Sequence, residues 1–251
     1  NQALARSGKP ARFTDEEIQK FRDGSDPENY PNTNWYDLAY KTGFVNRHNI
    51  NVTGGNEFSK YLASVGYLKQ TGILPNAGRE QFNARTSLDM NISKSVTAHL
   101  NLSFIQNNHA DASSAYAGGS SDQVIRQLNR IAPWIVGRYS DGTYGTISDG
   151  NPLAWLDSGM KVQYNNRNIT NMLGIDWQIY KDLKLTVQGA YVDNTQRYNY
   201  FQKFIQYNAN KSTDPSHLDI SDTDWHRSNF DAFLNYEQSL GQHNFKVMGG
   251  W

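Results

Sequence analysis

From Gly43 onward apolar and polar residues alternate, the period of a strand with one dry face and one wet face. Phe44–Val52 opens the series, with Ile50 and Val52 on one face. Lys60–Gln70 follows, with Tyr61, Ala63, Val65 and Tyr67 together. Over Asn83–Ile92, Ala84, Thr86, Leu88, Met90 and Ile92 oppose Asn83, Arg85, Ser87, Asp89 and Asn91. Val96, Ala98, Leu100, Leu102 and Phe104 then alternate with Thr97, His99, Asn101 and Ser103. Ile169–Ile179 and Leu183–Tyr191 repeat the pattern, and Phe230–Tyr236 and Phe245–Trp251 close it. The pattern predicts about eight strands of roughly 10 residues, the length of a tilted membrane-crossing strand (about 9–11) and longer than the usual mode of about 5–6.

The connections sharpen this. Tight turns fall near Gly55, Lys94, Lys181 and Gly241. They alternate with longer segments, Thr71–Arg79, Asn108–Arg167 and Arg197–Arg227. Short turns on one rim and long loops on the other are the pattern of an outer-membrane barrel. A soluble sandwich also alternates, but would not regularly place residues such as Arg85, Asp89 and Asp176 in mid-strand. The expected fold is therefore all-β: an antiparallel transmembrane β-barrel segment, part of a larger barrel, with a short N-terminal helical and loop region. Residues 1–43 are expected to form that region. Residues 44–251 form the barrel segment, with long extracellular loops at 108–167 and 197–227.

The first 43 residues carry helix punctuation. Thr14-Asp15-Glu16-Glu17 is a capping box, Ile18 and Phe21 follow on one face, and Gly24 stops the run. Asn29–Asn34 is turn chemistry, and Trp35–Tyr40 is expected to make a second short helical turn.

Composition narrows the class. Lys+Arg is 24 and Asp+Glu is 24, so the net charge is zero, against the basic excess of a nucleic-acid binder. Cysteine is absent, which excludes disulfides, thiolate metal sites and a cysteine nucleophile. The mean hydropathy of -0.73 does not suit a helical membrane protein. The longest apolar run, around Ile131–Val136, is far below the roughly 20 residues of a spanning helix. A barrel survives this test, because only every second strand residue meets lipid. The 251 residues include 27 Asn and 15 Tyr, a polar yet aromatic-rich content that implies ordered burial. The chain starts without a secretory signal and stops at Trp251 inside an alternating run, so it is expected to belong to something larger.

Three runs carry a family resemblance: Asn49-Ile50-Asn51-Val52-Thr53-Gly54-Gly55-Asn56-Glu57, Tyr61–Leu74 and Arg79–Asp89. With the upstream Phe13–Ile18 and Asp26–Trp35, they resemble, in order and spacing over residues 13–105, the early barrel of SusC/RagA-type TonB-dependent outer-membrane transporters of Bacteroidetes. Beyond residue 105 the likeness is to a generic barrel with variable loops. The resemblance implies import of large nutrients, glycans or peptides, across the bacterial outer membrane. It implies a SusD-like lipoprotein as an external lid, membrane lipid around the wall, and a TonB complex acting through a plug region that these residues do not include. The alternative reading is a soluble or surface β-rich glycan-binding module, which detergent dependence would separate from a membrane wall.

No catalytic or cofactor motif is present: G-x-S-x-G, G-x-G-x-x-G, the P-loop and H-E-x-x-H are all missing. The chain is therefore read as no enzyme, with no cofactor or metal. His99 and His243 are expected to be ordinary wall residues. Asp214, Asp219, Asp222 and Asp224 are read as a solvated acidic loop, since they lack calcium-loop spacing. The N-x-S/T triplets at Asn51, Asn91, Asn101, Asn168 and Asn210 are read as by-products of strand alternation. Ser121–Arg130 is expected to be a short helix with Val124, Ile125 and Leu128 on one face. In the same connection Trp134, Tyr139, Tyr144 and Trp155 are the candidate substrate or lid contacts, because flat aromatic faces beside amides and carboxylates suit sugar rings and peptide backbones alike. Tyr61, Tyr67, Trp177, Tyr180 and Tyr191 are expected to anchor the wall at the membrane interfaces.

Overall fold

The computed structural model describes residues 1–116, 119 and 121–251. Three short helices come first: α1 (Gln2–Arg6), α2 (Asp15–Asp23) and α3 (Trp35–Ala39). Four strands follow, β1 (Val45–Gly55), β2 (Ser59–Thr71), β3 (Gly78–Asn91) and β4 (Val96–Ala112). The long connection carries α4 (Ser121–Arg130) and α5 (Pro152–Asp157). Then come β5 (Lys161–Tyr180), β6 (Leu183–Gln202), the small hairpin β7 (Gln206–Asn208) and β8 (Lys211–Ser212), and finally β9 (His217–Leu240) and β10 (His243–Gly250). The main sheet has eight strands in the order β1-β2-β3-β4-β5-β6-β9-β10. Every neighbouring pair is antiparallel. This is an up-and-down wall with free edges at β1 and β10.

The register sorts side chains onto two unlike faces. Leu88 opposes Leu100, Leu100 opposes Leu173, Leu173 opposes Gly189, and Gly189 opposes Phe230. The next row on that face is Met90, Ala98, Ile175, Val187 and Ala232. Leu173 is 59% exposed and Ile175 46%, so nothing in the chain covers them. Among the described residues, this face holds no Asp, Glu, Lys or Arg between Asn171 and Trp177 or at their register partners on adjacent strands. The opposite face is hydrogen-bonded and polar. The Ser87 hydroxyl donates to Asn101 Oδ1 at 2.7 Å, and His99 Nδ1 lies 2.8 Å from Asp89 Oδ1. Thr186 donates to Asp176 at 2.8 Å, Lys184 Nζ lies 3.4 Å from Asp176, and Gln188 donates to Asp231 at 3.2 Å. His99 is thus a wall residue held between two carboxylates, with Asp176 Oδ2 3.6 Å from its Nε2.

The strands outrun the expectation. β5 and β6 have 20 residues each and β9 has 24, not about ten. On β5 the apolar face runs Trp177, Ile175, Leu173, Asn171, Ile169 and then turns to Arg167 and Asn165. On β6, Leu185, Val187, Gly189 and Tyr191 give way to Asp193, Thr195 and Arg197. Backbone pairing needs no apolar side chain, so the ladder continues past the apolar band. The sequence pattern marks only the band. The loops expected at 108–167 and 197–227 therefore contract to 113–160 and 203–216. Asp219, Asp222 and Asp224 are likewise no loop cluster. They sit on β9, Asp219 on the polar face and the other two on the opposite one, where Arg197 grips Asp222 with Nε and Nη2 at 2.7 and 2.9 Å.

Tyr67 and Phe82 oppose each other at the upper edge of the band, Phe82 packs 6.0 Å from Phe104, and Tyr191 holds the same edge on β6. Tyr61, Trp177 and Tyr180 mark the lower edge. Leu100→Arg or Leu173→Arg should cost roughly 2–4 kcal/mol in the assembled wall, the midplane value for a charge on a lipid face. Spin labels at Leu173 and Ile175 should be quenched by oxygen, and labels at Asn101 and Asp176 by a water-soluble relaxant. The reverse pattern would mean that the register is slipped by one residue.

Candidate functional site: a cap on the long-loop rim

All the tight turns lie on one rim. Asn56 closes the first, accepting from the Phe58 and Ser59 amides at 2.9 Å, and Gly241, at φ 61, closes the last. Every longer connection lies on the other rim, together with the N-terminal helices. Four separate segments merge there into one apolar core: Trp35 and Ala39 of α3, Leu74 between β2 and β3, Val124, Leu128 and α5 of the long connection, and Ile205 and Tyr207 of the β6–β9 connection. The reason is burial. None of these segments has enough apolar surface to pack alone, and the rim brings their ends together.

Backbone-directed hydrogen bonds stitch the N-terminal region to the long connection. Trp35 Nε1 donates to Ala132 O at 3.2 Å, and Thr33 donates to Pro133 O from its amide at 2.8 Å and to Ile135 O from its hydroxyl at 2.7 Å. Further out, α2 is held by its capping box, with Thr14 and Glu17 bonding reciprocally and Gly24 at φ 67 ending the helix. α4 forms where the apolar spacing requires it, with Val124 and Leu128 buried. Ile125 is not on that face: one residue is a turn of about 100°, and it points outward. Gln127 is buried instead and donates to Asp149 Oδ2 at 3.0 Å.

α5 escapes the period-based reading because its six residues make fewer than two turns. Its signal is Asn151-Pro152 ahead of Leu153-Ala154-Trp155-Leu156, an N-cap followed by proline at the first helical position. Asn151 is fully buried. Its Oδ1 accepts from the Leu153 amide at 2.8 Å, and its Nδ2 donates to Gly145 O at 2.8 Å and Gly137 O at 3.0 Å. One side chain therefore caps the helix and pins two loop strands. Trp155 follows at 0% exposed, and its Nε1 donates to the Tyr207 hydroxyl at 2.6 Å. Burial pushes the Tyr207 hydroxyl up to about 12, with the Trp155 donor pulling against it. Gly150, at φ 104, has no room for a side chain, since a Cβ would meet the Tyr207 hydroxyl at 2.5 Å.

The four aromatic candidates have unlike positions. Trp155 is the centre of the core, so a ligand or lid reaches it only through its neighbours. Tyr144 is half-buried: its hydroxyl donates to Asp157 Oδ2 at 2.9 Å, and Arg138, paired with the same carboxylate, lies 5.6 Å from its ring. Burial and the Asp157 contact raise its hydroxyl as well. Tyr139 is half-buried beside a tight turn closed by its amide and Thr143 O at 2.8 Å. Trp134 is 54% exposed and alone of the four offers an open face. The cap leans over the polar face of the wall. Val162 and Tyr200, both on that face, are buried beneath it, and the Tyr200 hydroxyl donates to Ser114 O at 3.3 Å. Among the described residues no group of three or more His, Asp or Glu is placed to hold a metal ion.

Replacing Tyr207 by Phe should cost about 0.5–1.5 kcal/mol, one net hydrogen bond, and Trp155→Ala about 3–5 kcal/mol through the cavity it leaves. Hydrogen exchange should localise both losses to the cap segments, residues 121–160 and 203–216, and leave β4–β6 protected. The raised Tyr207 value also sets a sign. The stabilisation is full below the unfolded value of about 10 and is lost as pH rises toward 12. Near-ultraviolet circular dichroism should show cap melting in that window, with a flatter dependence for Tyr207→Phe. Uniform loss of protection across the sheet would show that the cap is not a separate cooperative unit.

No family model matches the chain. Over 239 residues it is 28% identical to TonB-dependent receptor P3 of Formosa agariphila, covering 89% of this chain and 23% of that protein. TonB-dependent receptor P39 of the same organism is 23% identical over 86% of this chain and 20% of its own length. The chain thus spans less than a quarter of the curated relatives it matches. In fold it superposes on the RagAB peptide importer in its open-open state with a TM-score of 0.71 at 17% identity, over 95% of this chain and 28% of that one. The closed-closed state gives 0.70 at 17% identity, over 91% and 27%. Sequence relatives of one kind and a matching antiparallel wall agree: the chain is similar in sequence to TonB-dependent receptors and shares the fold of a barrel-wall segment of the RagAB importer.

Proposed function

We propose that this chain is part of the wall and outer cap of an outer-membrane transporter that imports large nutrients, glycans or peptides. One observation carries the reading: an uncharged apolar band on one face, a hydrogen-bonded polar face on the other, and every long connection gathered on a single rim. Lipid covers the band, and the polar face borders the route of the nutrient. Residues 1–43 support the cap, and the wall begins at β1. In this arrangement the cap is extracellular and the tight turns are periplasmic. Trp134 and the neighbouring cap surface serve capture or the docking of a SusD-like lipoprotein lid. TonB acts through a plug supplied by another part of the transporter. The role is binding and passage, without chemistry. The structural relatives import peptides, which supports the peptide side of this reading at the level of fold.

A soluble glycan-binding module would need a second apolar layer over Leu173, Ile175 and Val247, and the described residues supply none.

Epitope tags in the full-length receptor test the topology. A tag at Gly142, at the tip of a cap turn, should bind antibody on intact cells, and a tag beside Lys94 should bind only after permeabilisation. Antibody binding at Lys94 from outside would invert the assignment. Trp134→Ala should lower uptake or partner co-purification several-fold with barrel assembly intact. Normal values of both would show that this face is unused.

A further inference from the structure

The outer face of the wall carries a groove above the apolar band, with a volume of about 400 Å³. Its floor is made of small residues, Gly78 of β3 and Ala110 of β4, which oppose each other in register. The Lys69–Glu80 pair, with Nζ 2.7 Å from Oε1, bounds the side nearer the band. Asn108, Asn165 and Gln163 flank it and Lys161 stands at its far end, all on the face that carries Leu100 and Leu173 lower down. Arg79 and His109 border the groove through their backbone. Their side chains belong to the opposite face, where Arg79 bonds Asn107 and Gln81 and His109 packs against Tyr164.

The polar groups facing the groove are arranged as donors. Among the described residues Glu80 is its one carboxylate, and Lys69 neutralises it. Lys161 has no acidic partner there, so the groove keeps one net positive charge. Gln106 donates from Nε2 to Asn108 Oδ1 at 2.8 Å, which leaves the Asn108 N–H groups to donate into the groove. Gln163 and Asn165 add two more carboxamides able to donate. An ammonium ringed by amide donors suits phosphate oxygens.

Height decides what can bring the phosphate. On the outer face the last large apolar residues are Phe104 of β4 and Ile169 of β5, each followed by a polar one, Gln106 and Arg167. A strand tilted by about 40° gains roughly 2.5 Å of height per residue. Ala110 lies six residues beyond Phe104 and Lys161 eight beyond Ile169, which puts them about 15 and about 20 Å above the band. The headgroup layer of a bilayer is only about 5–8 Å deep. A compact phosphoglyceride head does not reach the lysine, whereas a phosphorylated saccharide chain does.

We propose that this groove binds the phosphorylated saccharide headgroup of a glycolipid in the outer leaflet, whose acyl chains lie on the Leu100–Leu173 band below. Lys161 takes a phosphate, the carboxamides take phosphate and sugar oxygens, and Gly78 and Ala110 leave room for a sugar ring against the strands. The continuity of groove and band on one face selects a lipid over a free solute, since this side is turned away from the polar face. The proposal goes beyond the transporter reading. It takes from that reading only the lipid contact of the band and the outward position of the cap rim.

The test uses the full-length receptor, purified in detergent, stripped of bound lipid and followed by native mass spectrometry. The probes are a phosphorylated lipopolysaccharide with a short saccharide core, the same lipid after enzymatic removal of its phosphates, phosphatidylglycerol, and inorganic phosphate. The phosphorylated glycolipid should bind about tenfold or more tightly than its dephosphorylated form or phosphatidylglycerol, the worth of one charge-assisted hydrogen bond. Lys161→Glu and, independently, Ala110→Trp, which fills the floor, should each weaken it by about tenfold. Both positions lie above the band, so neither places charge or bulk against hydrocarbon during assembly. Lys181→Glu, on a tight turn of the opposite rim, should leave binding unchanged. Equal affinity for the dephosphorylated lipid, unchanged affinity in either groove variant, or displacement of the glycolipid by an equal concentration of inorganic phosphate each overturns the proposal. The tags at Gly142 and Lys94 report separately on which rim faces outward, so a failure of the transporter reading is distinguishable from a failure of the groove.

Discussion

The structure depends on the two-residue period of the pleat being held between two different solvents. With one face against lipid and the other against water, a slip of one residue would place Asn101 and Asp176 in hydrocarbon and Leu100 and Ile175 in water. Each buried polar side chain in hydrocarbon would lose its partners at a cost of several kcal/mol. The register is consequently fixed by many rows at once rather than by any single contact. The polar face reinforces it: Asp176 receives Thr186 and Lys184 from β6 and faces His99 of β4, and those contacts exist only in this alignment.

Most of the wall was legible in the chain because that period is written directly into it. Leu88, Leu100 and Leu173 fall in one row on one face, as their spacing required. Tyr61, Tyr67, Trp177 and Tyr191 fall on the same outer face. What could not be read was how far the strands continue. At Asn165–Arg167 and Asp193–Arg197 both faces are polar, so alternation vanishes although backbone pairing persists. Polar two-sided strand and polar loop look alike in sequence, which is why the sequence pattern places Asp222 and Asp224 in a loop.

The cap was less legible for a different reason. Its core joins Trp35, Leu74, Trp155 and Tyr207, which are far apart in the chain and lie in segments without a period of their own. Trp134 and Trp155 look equivalent in sequence, as aromatic residues in one loop. The structure separates them by what precedes them: Asn151 and Pro152 start a helix that turns Trp155 inward, while Trp134 follows Pro133 on an exposed bend. Local capping chemistry, not aromatic content, decides which ring is a core and which is a surface.

The overshoot of the strands also places a row of carboxamides, Gln81, Asn107, Asn166 and Gln196, in register on the polar face of β3–β6. Asn107, Asn166 and Gln196 sit at the levels where the outer face has already become Gln106 and Asn108, Asn165 and Arg167, and Thr195 and Arg197. At those levels the wall has left the apolar band. A wall that ended with the band would have nowhere to place an amide row beyond it. Extending the ladder by several residues raises the cap and creates a stretch of wall with water on both sides. Tyr164 and Tyr198, opposed across β5 and β6 with ring centroids 5.3 Å apart, stand between the row and the cap, where the Tyr200 hydroxyl donates to Ser114 O. The position of the row therefore follows from strand length, and strand length follows from backbone pairing that continues after the lipid-facing pattern has stopped.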